Sequence, residues 1–552
     1  MKFFRICAAL LAIAAAANAQ RLTGRWEARM YQVDEGRKMI LALTEGPTAG
    51  TRTTVIGYMQ QSGGAGNAIL DGAFTGSTLT FSVERPGRGA RGSTTPVPPV
   101  RTDYSAALQG DKLILTVPTA AGGRGGGRGM LNPLEFTRVS TTAPGPLPAP
   151  PAKINLTSYK PVPDNGLAKT PPMGWNSWNK FAGAVTDKDV RGMADAMASN
   201  GMKAAGYTYI NIDDTWEAGR DANGMIQSNS KFPNMKALAD YVHSKGLKIG
   251  IYSSPGPTTC AGYEGSYNHE AQDAKQYAAW GFDYLKYDWC SAAMVYATDP
   301  ETNRPLSMNE QAVYAKMGDA LLHSGRKIVF SLCQYGQNDS GSWAAKVGGN
   351  LWRTTGDISD QWASMVSNGF AQQVGREKFA APGHWNDPDM LEIGNGGMTG
   401  DEYRTHMSLW CLLASPLLAG NDLRDMKPEI LDILTNKEVI AVDRDKLGKQ
   451  AIRVSPPVPA DEAATISVKE GRSATGGDIQ IFSRPLADGG HAVGLFNLGA
   501  AVAKVTAKWS DIGIKGSHKV RDLWAHADRG AFTNEFTADV LSHGVVMIKI
   551  AK

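Results

Sequence analysis

The feature that most restricts the fold is a repeated alternation of short apolar runs with longer amphipathic segments between residues 165 and 445. The short runs have the length of buried strands, and the segments between them carry hydrophobic residues at helical spacing. The eight runs are MGWNSW, YTYINIDD, LKIGIYSS, DYLKYDWC, KIVFSLC, NLWRTTGD, HWNDPDML and LLAGND. Eight strand and helix units in roughly 280 residues predict a (β/α)8 TIM barrel.

The regions on either side of this repeat have the pattern of β-structure. Residues 20–139 contain short alternating runs separated by glycine-rich turns, which predicts a small all-β accessory domain with antiparallel strands. Residues 140–164 begin with a proline-rich stretch, which we interpret as a linker. Residues 446–552 return to alternating runs and predict a C-terminal antiparallel β-sandwich. We therefore expect a multidomain chain whose catalytic barrel occupies residues 165–445.

The first nineteen residues have the composition of an export signal. Two basic residues precede an uncharged apolar run, and Ala17, Asn18 and Ala19 form a small-x-small cleavage sequence. The run is too short to span a bilayer, and no later stretch is suited to that role. Residues 1–19 thus predict a cleaved signal peptide and a periplasmic or extracellular location.

The charge of the chain gives no reason to expect a nucleic acid as partner. The formal net charge is +4, and the clustered arginines lie in two glycine-rich stretches at 85–92 and 122–129. We interpret these stretches as hairpin tips rather than as an arm that binds polyanions. The sequence does not indicate an oligomeric state.

Polar side chains end most of the predicted barrel strands. The carboxyl ends of parallel strands meet at one mouth of a TIM barrel, where active sites lie, and the packed core needs no carboxylate there. The residues at these ends are mainly acids and aromatics: Trp178, Asp213, Asp214, Tyr252, Asp288, Cys333, Arg353, Asp357, Asp387 and Asp389. We therefore expect the acids to share one functional site.

These residue types favour the cleavage of glycosidic bonds. The chain has no DxDxDG-like loop, no HExxH pair, no GxSxG elbow and no Walker-type loop, so we expect neither a metal nor another cofactor. Two carboxyl groups are enough for glycoside chemistry, one at the anomeric carbon and one as proton donor. Trp178, Tyr252 and Tyr335 would form walls for a sugar ring, while Lys286 and Arg353 would bind hydroxyl groups and favour ionised carboxylates.

Nine ordered segments resemble the glycoside hydrolase family 27 enzymes, the melibiase-like α-galactosidases and α-N-acetylgalactosaminidases. The segments are TPPMGWNSWN, YINIDDTW, YVHSKGLKIGIY, TCAGYEGS, DYLKYDWC, WRTTGDI, GHWNDPDML, SPLLAGNDLR and DKLGKQ. The resemblance covers the barrel and extends into the sandwich, but it does not cover residues 20–139. It implies a retaining mechanism, with the two catalytic carboxyls about 5 to 5.5 Å apart.

The resemblance also implies a role for each residue at the mouth. The KYD motif makes Asp288 the nucleophile, and the WRxxxD motif makes Asp357 the general acid/base. Lys286, on the same strand face as Asp288, would hold the substrate and favour the ionised carboxylate. Asp387 we interpret as the cap of the turn at Pro388. The other sugar-contacting residues implied are Trp178, Asp213, Asp214, Tyr252, Cys260, Cys333, Tyr335, Arg353 and Asp389.

The four cysteines beyond the signal, Cys260, Cys290, Cys333 and Cys411, allow three sets of disulfides, and their spacing does not choose among them. The resemblance implies a bridge between Cys260 and Cys290, beside the nucleophile.

The expected function is that of a secreted, retaining exo-α-galactosidase acting on terminal α-D-galactosyl residues of oligo- or polysaccharides. Cys333 and Tyr335 resemble the residues of plant and microbial galactosidases, which favours galactose over the sugars of two family variants, β-L-arabinopyranosidase and α-N-acetylgalactosaminidase. The alternative of another class is a galactose-binding protein without catalysis. Both carboxylates are present, which argues against it.

Overall fold

The computed structural model describes residues 22–30, 38–61, 66–85, 98–118, 131–147, 152–302, 304–456 and 478–552. The chain divides into two compact units, the first ending at Lys153 and the second continuing from Ile154 to Lys552. The predicted signal peptide lies outside the described residues, and so do nearly all of the two arginine- and glycine-rich stretches. The limits given above for the separate domains stay predictions.

The first unit contains a closed barrel of eight strands in which sequence neighbours pair and the last strand pairs with the first. All pairings are antiparallel, as the alternating runs predict. Trp26 is fully buried in its core and donates its indole N–H to the Leu22 carbonyl at 2.8 Å. The strands are β1 (Gly24–Arg29), β2 (Lys38–Ala49), β3 (Arg52–Gln61), β4 (Gly66–Phe74), β5 (Thr78–Arg85), β6 (Val100–Gln109), β7 (Lys112–Thr116) and β8 (Leu134–Ser140).

The second unit begins with the predicted parallel barrel. Ten strands follow one another: β9 (Met173–Asn176), β10 (Tyr209–Asn211), β11 (Glu217–Arg220), β12 (Ile226–Ser228), β13 (Lys248–Ser253), β14 (Tyr284–Asp288), β15 (Val329–Cys333), β16 (Leu351–Arg353), β17 (Trp385–Asp387) and β18 (Leu417–Ala419). β11 and β12 form a separate hairpin, and the other eight make one parallel sheet in the order β17-β16-β15-β14-β13-β10-β9-β18. The two ends of this sheet meet where the Leu391 N–H, just after β17, donates to the Leu418 carbonyl at 2.8 Å.

Helices connect most of these strands. Two of the helices begin after a threonine whose side chain caps the first turn. Thr186 and Thr399 each form a capping box with the acid three residues later, which satisfies the free N–H groups of the first turn. The helices are α1 (Trp178–Phe181), α2 (Asp187–Ser199), α3 (Met202–Ala205), α4 (Met235–Ser244), α5 (Glu270–Trp280), α6 (Ser307–Leu322), α7 (Trp362–Val366), α8 (Gly400–Leu412), α9 (Pro428–Thr435) and α10 (Lys437–Asp443).

One connection departs from the expected rhythm of strand and helix. Between β15 and β16, all of whose linking residues are described, the chain forms only two 3-10 turns, Gln337–Ser342 and Ala344–Lys346. Five residues here have positive φ angles, which interrupts a regular α-helix: Tyr335, Gly336, Asn338, Asp339 and Gly348.

The C-terminal part is the predicted antiparallel sandwich. A six-stranded sheet in the order β19-β20-β21-β26-β23-β24 accompanies the two-stranded sheet β22-β25. Leu495 and Ile548 from the large sheet pack with Val505 from the small one. The elements are β19 (Ile452–Ser455), β20 (Ile479–Pro485), β21 (His491–Asn497), β22 (Ala503–Lys508), α11 (Trp509–Ile512), β23 (Ser517–Asp522), β24 (Ala527–Thr533), β25 (Glu535–Val540) and β26 (Val545–Ile550). Within the described ranges, every helix is too short or too polar to cross a membrane.

A buried ion pair fixes the β11–β12 hairpin to helix α5. Arg220 donates from Nη1 and Nη2 to the two carboxylate oxygens of Asp273, at 2.7 and 2.9 Å. Its Nε donates to Glu264 at 2.8 Å. The Asp273 side chain is fully buried, so its charge depends on this partner.

We predict that Arg220→Met lowers the free energy of unfolding by about 3 to 5 kcal/mol, because it leaves the buried Asp273 charge unpaired. Urea denaturation followed by circular dichroism measures the change. The control is Lys236→Met, which removes the exposed pair of Lys236 with Asp240 and should cost about 0.5 kcal/mol or less. Equal losses in the two variants would contradict the assigned role of Arg220.

Candidate active site

The carboxyl ends of neighbouring barrel strands bring the predicted residues together. Asp288 ends β14 and lies opposite Cys333, which ends β15. Arg353 ends β16 and lies opposite Asp387, which ends β17. Parallel strands in register end at the same edge, so these side chains share one mouth of the barrel.

Lys286 is a half-buried cation between two parts of this mouth. Its ammonium donates to Asp213 Oδ2 at 2.8 Å and lies 5.5 Å from the centroid of the Tyr252 ring. Burial disfavours the charge of Lys286, but the negative groups around it, Asp213 foremost and Asp288 among them, together outweigh burial and raise its pKa above the ordinary value. Lys286 therefore stays protonated beside the acids.

Asp213 and Asp214 form the most enclosed part of the site, since both are almost fully buried. Asp214 accepts hydrogen bonds from the Thr259 hydroxyl and the Ala261 N–H, each at 2.7 Å. Burial raises the pKa of Asp214 to about 6, although these donors favour its ionised form. Asp213 also accepts from the Asn176 amide at 2.7 Å.

Asp288 is held through one oxygen only. Its Oδ2 accepts a hydrogen bond from the Tyr252 hydroxyl at 3.0 Å, while Oδ1 is buried and has no hydrogen-bond partner among the described residues. Burial raises the pKa of Asp288, the charge of Lys286 and a hydrogen bond with the Tyr335 side chain lower it, and the negative charge of Asp357 raises it again. Asp288 and Asp357 thus lie within electrostatic range of each other, and Oδ1 of Asp288 remains available to a reactant.

Arg353 links the sixth and seventh strands of the barrel. Its Nη2 lies 2.9 Å from Asp389 Oδ2 and 3.1 Å from Asp357 Oδ1. Its Nη1 donates to the Cys333 sulfur at 3.6 Å, and the guanidinium lies 5.7 Å from the centroid of the Tyr335 ring. The Asp357 side chain is 61% exposed, so the site combines a buried carboxylate, Asp288, with a solvent-facing one.

A disulfide joins Cys260 to Cys290 beside Asp288, with 4.9 Å between the Cα atoms. The Tyr252 hydroxyl lies 3.6 Å from the Cys290 sulfur, and the Tyr335 hydroxyl lies 3.6 Å from the Cys260 sulfur. The bridge therefore packs against two tyrosines of the site. The two sulfurs and an Asp288 oxygen form the one group in the described ranges with metal-ligand spacing, but bridged sulfurs are not thiolates and do not serve as such ligands.

Direct contacts connect eleven of the twelve predicted residues with one another, and Trp178 is the exception among the contacts described here. Trp178 is half-buried at the start of α1, and its backbone N–H donates to Asn176 at 2.9 Å. The Asp389 carboxylate accepts from the Ile358 N–H at 2.8 Å in addition to its ion pair with Arg353. Direct contact of either residue with a sugar stays a prediction. Asp387 accepts from the Asp389 N–H at 2.9 Å, as a turn cap does.

Sequence reasoning missed Asn176, although it ends β9 as Asp288 ends β14, and the rule that polar residues at strand ends form the site applies to it equally. It also missed Thr259 and Ala261. Their contribution comes from a loop after β13, where no periodic pattern marks the residues that face Asp214.

Two models of known protein families match parts of this chain. Residues 170–445 match the family model described as Alpha galactosidase A, and residues 476–550 match its C-terminal β-sandwich domain. The chain is 46% identical over 399 residues to the α-galactosidase of Cyamopsis tetragonoloba, an alignment that covers 71% of this chain and 88% of that protein.

Two solved structures extend the comparison. The α-galactosidase I of Mortierella vinacea is 36% identical, with a TM-score of 0.62, over 70% of this chain and 98% of that one. A putative α-galactosidase from Bacteroides fragilis is 28% identical, also with a TM-score of 0.62, over 97% of this chain and 99% of that one. The second likeness includes the N-terminal unit, which the family models do not match.

We predict that Lys286→Met raises the pKa of Asp288, because it removes the cation that favours the ionised carboxylate. Carbon-13 NMR titration of aspartate-labelled protein measures the change, with Asp288→Asn identifying the signal. Lys248→Met is the matched control, since Lys248 also lies 5.5 Å from a tyrosine ring, that of Tyr209, but begins β13 instead of facing the mouth. An unchanged or lowered pKa in Lys286→Met would contradict the assigned role.

Proposed function

The chain belongs to the α-galactosidase A family of glycoside hydrolases, glycoside hydrolase family 27, and on that premise we propose that it is a retaining, exo-acting α-galactosidase. It would release terminal non-reducing α-D-galactosyl residues from oligo- or polysaccharides. The main support for the proposal is that a buried carboxylate and an exposed carboxyl lie near each other. The buried one is Asp288, whose Oδ1 has no hydrogen-bond partner in the described part of the chain, and the exposed one is Asp357, which is close enough to influence the pKa of Asp288.

In the first step, Asp288 acts as the nucleophile. Its free Oδ1 attacks the anomeric carbon of the galactosyl group while Tyr252 holds Oδ2. The bond from that carbon to the aglycone oxygen breaks, and the oxygen takes a proton from Asp357. The product is a galactosyl ester of Asp288 and a free aglycone. Lys286 supports this step because it favours the ionised form of Asp288, the form that attacks.

In the second step, Asp357 acts as the base. It accepts a proton from a water molecule, and the oxygen of that water attacks the anomeric carbon and displaces Asp288. The exposure of Asp357 suits this role, since water reaches it once the aglycone has left. Arg353 contacts the Asp357 carboxylate at 3.1 Å and would orient it in both steps. Two displacements at one carbon retain the α configuration.

The enclosed acids support exo action. Asp213 and Asp214 are buried, whereas Asp357 faces solvent. If the buried acids close one end of a pocket, the pocket accepts only the terminal sugar of a chain. We propose that Asp213, Asp214 and Lys286 bind the hydroxyl groups at carbons 4 and 6 of galactose, within walls formed by Trp178, Tyr252, Cys260, Cys333, Tyr335, Arg353 and Asp389.

Galactose is the preferred sugar of this proposal over arabinopyranose and N-acetylgalactosamine. Cys333 is buried, and Tyr335 contacts Arg353 and the disulfide. We propose that these two side chains line the side of the ring where carbon 2 lies and thereby select galactose. We also propose that residues 1–19 are a cleaved signal peptide and that the enzyme works in the periplasm or outside the cell. Support for export comes from the basic start and the small-x-small sequence at Ala17 to Ala19.

We predict that Asp288→Ala and Asp357→Ala each lower kcat/KM on an α-galactoside with a poor leaving group by about 10³-fold or more. Azide distinguishes the two roles on a nitrophenyl α-D-galactoside. With Asp288→Ala, azide replaces the nucleophile and should give β-galactosyl azide. With Asp357→Ala, azide attacks the ester intermediate and should give α-galactosyl azide.

Proton NMR of the azide products reads the configuration. The control is Asp511→Ala, on the exposed surface of the sandwich, which should hydrolyse the substrate at the wild-type rate without an azide product. The same anomer from both variants, or β-galactose as the first product of the wild-type enzyme, would exclude the proposed mechanism.

A further inference from the structure

Thr215, the residue that follows the two enclosed acids, has an unusual backbone conformation. Its φ angle is +85°, in the left-handed region that a β-branched residue rarely adopts. Glycine adopts this conformation without penalty, whereas threonine does so only when its surroundings hold it there. Contacts with neighbouring residues must therefore hold Thr215 in this conformation.

Hydrogen bonds restrain Thr215, because each of its polar atoms has a partner. Its N–H is shared between Asp214 Oδ1, at 2.7 Å, and Glu217 Oε2, at 3.0 Å. Its carbonyl accepts from the Asn229 amide at 2.8 Å, and its hydroxyl oxygen accepts from the Lys231 ammonium at 2.8 Å. We call Glu217, Asn229 and Lys231 the Thr215 clamp.

The β11–β12 hairpin brings the clamp to Thr215. Glu217 begins β11 and pairs with Ser228, which ends β12. The Asn229 N–H then donates to the Trp216 carbonyl at 2.9 Å, so the chain after the hairpin returns to its start. The Glu217 side chain is completely buried there. The hairpin lies outside the barrel sheet. Through Glu217 and Asn229 it contacts Thr215, next to the two enclosed acids.

The positions of both enclosed carboxylates depend on the same stretch of backbone. Asp213 Oδ1 accepts from the Asp214 N–H at 2.9 Å, and Asp214 Oδ1 accepts from the Thr215 N–H. Each carboxylate is thus tied to the N–H of the next residue. A rotation of Thr215 toward negative φ would turn these N–H groups and move both carboxylates.

We propose that the Thr215 clamp is a positioning device for the sugar: it holds Thr215 in the left-handed conformation and thereby aims Asp213 and Asp214 at the substrate hydroxyls. The inference rests on the proposed function, in which these two acids bind galactose. Glu217, Asn229 and Lys231 do not touch the substrate, and they act through Thr215.

The chemistry of Glu217 fits this role. Among the described residues its Oε1 is buried without a hydrogen-bond partner, and burial together with the nearby Asp214 charge raises its pKa well above the ordinary value. Burial thus favours the neutral acid, which accepts from the Thr215 N–H without repelling Asp214. Glutamine has the same shape and an acceptor oxygen, whereas alanine has neither.

A double-mutant cycle tests the clamp. Glu217→Ala should raise KM for nitrophenyl α-D-galactoside, and the inhibition constant of galactose, about tenfold, while kcat changes by less than about threefold. Glu217→Gln should stay within about threefold of the wild type in both constants. In the Thr215→Gly background, which needs no restraint, Glu217→Ala should raise KM by less than about threefold.

An equal rise of KM in the two backgrounds would overturn the proposal, because Glu217 would then act without Thr215, and so would an unchanged KM in Glu217→Ala. If Glu217→Ala does not fold, Lys231→Met, on a half-buried side chain, takes its place in the cycle with the same expected and contrary results.

Loss of the proposed function is a separate outcome. A wild-type chain that does not hydrolyse the galactoside would refute the assigned activity, whatever the clamp does. The cycle is therefore also measured in denaturation midpoints, which need no substrate. The clamp predicts that Glu217→Ala lowers the midpoint less in the Thr215→Gly background, and additive shifts would contradict it.

Discussion

One half-buried ammonium group, that of Lys286, connects the acids at the mouth of this barrel. Five carboxylates are buried there, and two cations, Lys286 and Arg353, balance them. Without a partner, a buried carboxylate takes up a proton instead of keeping its charge. Lys286 pairs directly with Asp213 and, through its charge, favours ionised Asp288. The sugar-binding end and the reacting end of the proposed site thus depend on one side chain.

The two proposed catalytic carboxyls have different surroundings, and that difference separates their roles. Asp288 is buried and fixed by Tyr252, beside a disulfide, so its reactive oxygen has a defined position. Asp357 is exposed and contacts Arg353. A nucleophile benefits from fixed geometry, whereas a group that exchanges protons with incoming water needs access to solvent. The fold provides both because one residue ends a strand and the other follows one.

Much of this arrangement could be predicted from the sequence, because one rule relates the hydrophobic pattern of a strand to the position of the residue that ends it. The end of a parallel strand is a fixed position in the fold, so a polar residue that closes an apolar run, such as Asp288 or Arg353, is assigned to the mouth without further information. Lys286 follows from the alternation of side chains along the same strand.

Other features depend on contacts between residues that are distant in the sequence or lie in loops, and the local sequence pattern does not predict such contacts. The Asp389 carboxylate turned out to be shared between Arg353 and the Ile358 N–H, which follows from loop geometry. The conformation of Thr215 depends on Asn229, which lies fourteen residues later in the sequence, directly after the β11–β12 hairpin. Closure of the N-terminal barrel likewise requires β1 to pair with β8, strands more than a hundred residues apart in the chain. Alternation predicts that such strands exist, but it does not predict which strands pair.

The most direct measurement is to trap the intermediate. A fluorinated galactosyl fluoride that slows the second displacement is incubated with the enzyme, and the peptides are then mapped by mass spectrometry. The proposed mechanism predicts one adduct, a fluorinated galactosyl group on the carboxylate of Asp288. An adduct on another residue, or complete turnover to the fluorinated β-sugar with no adduct, would contradict that mechanism.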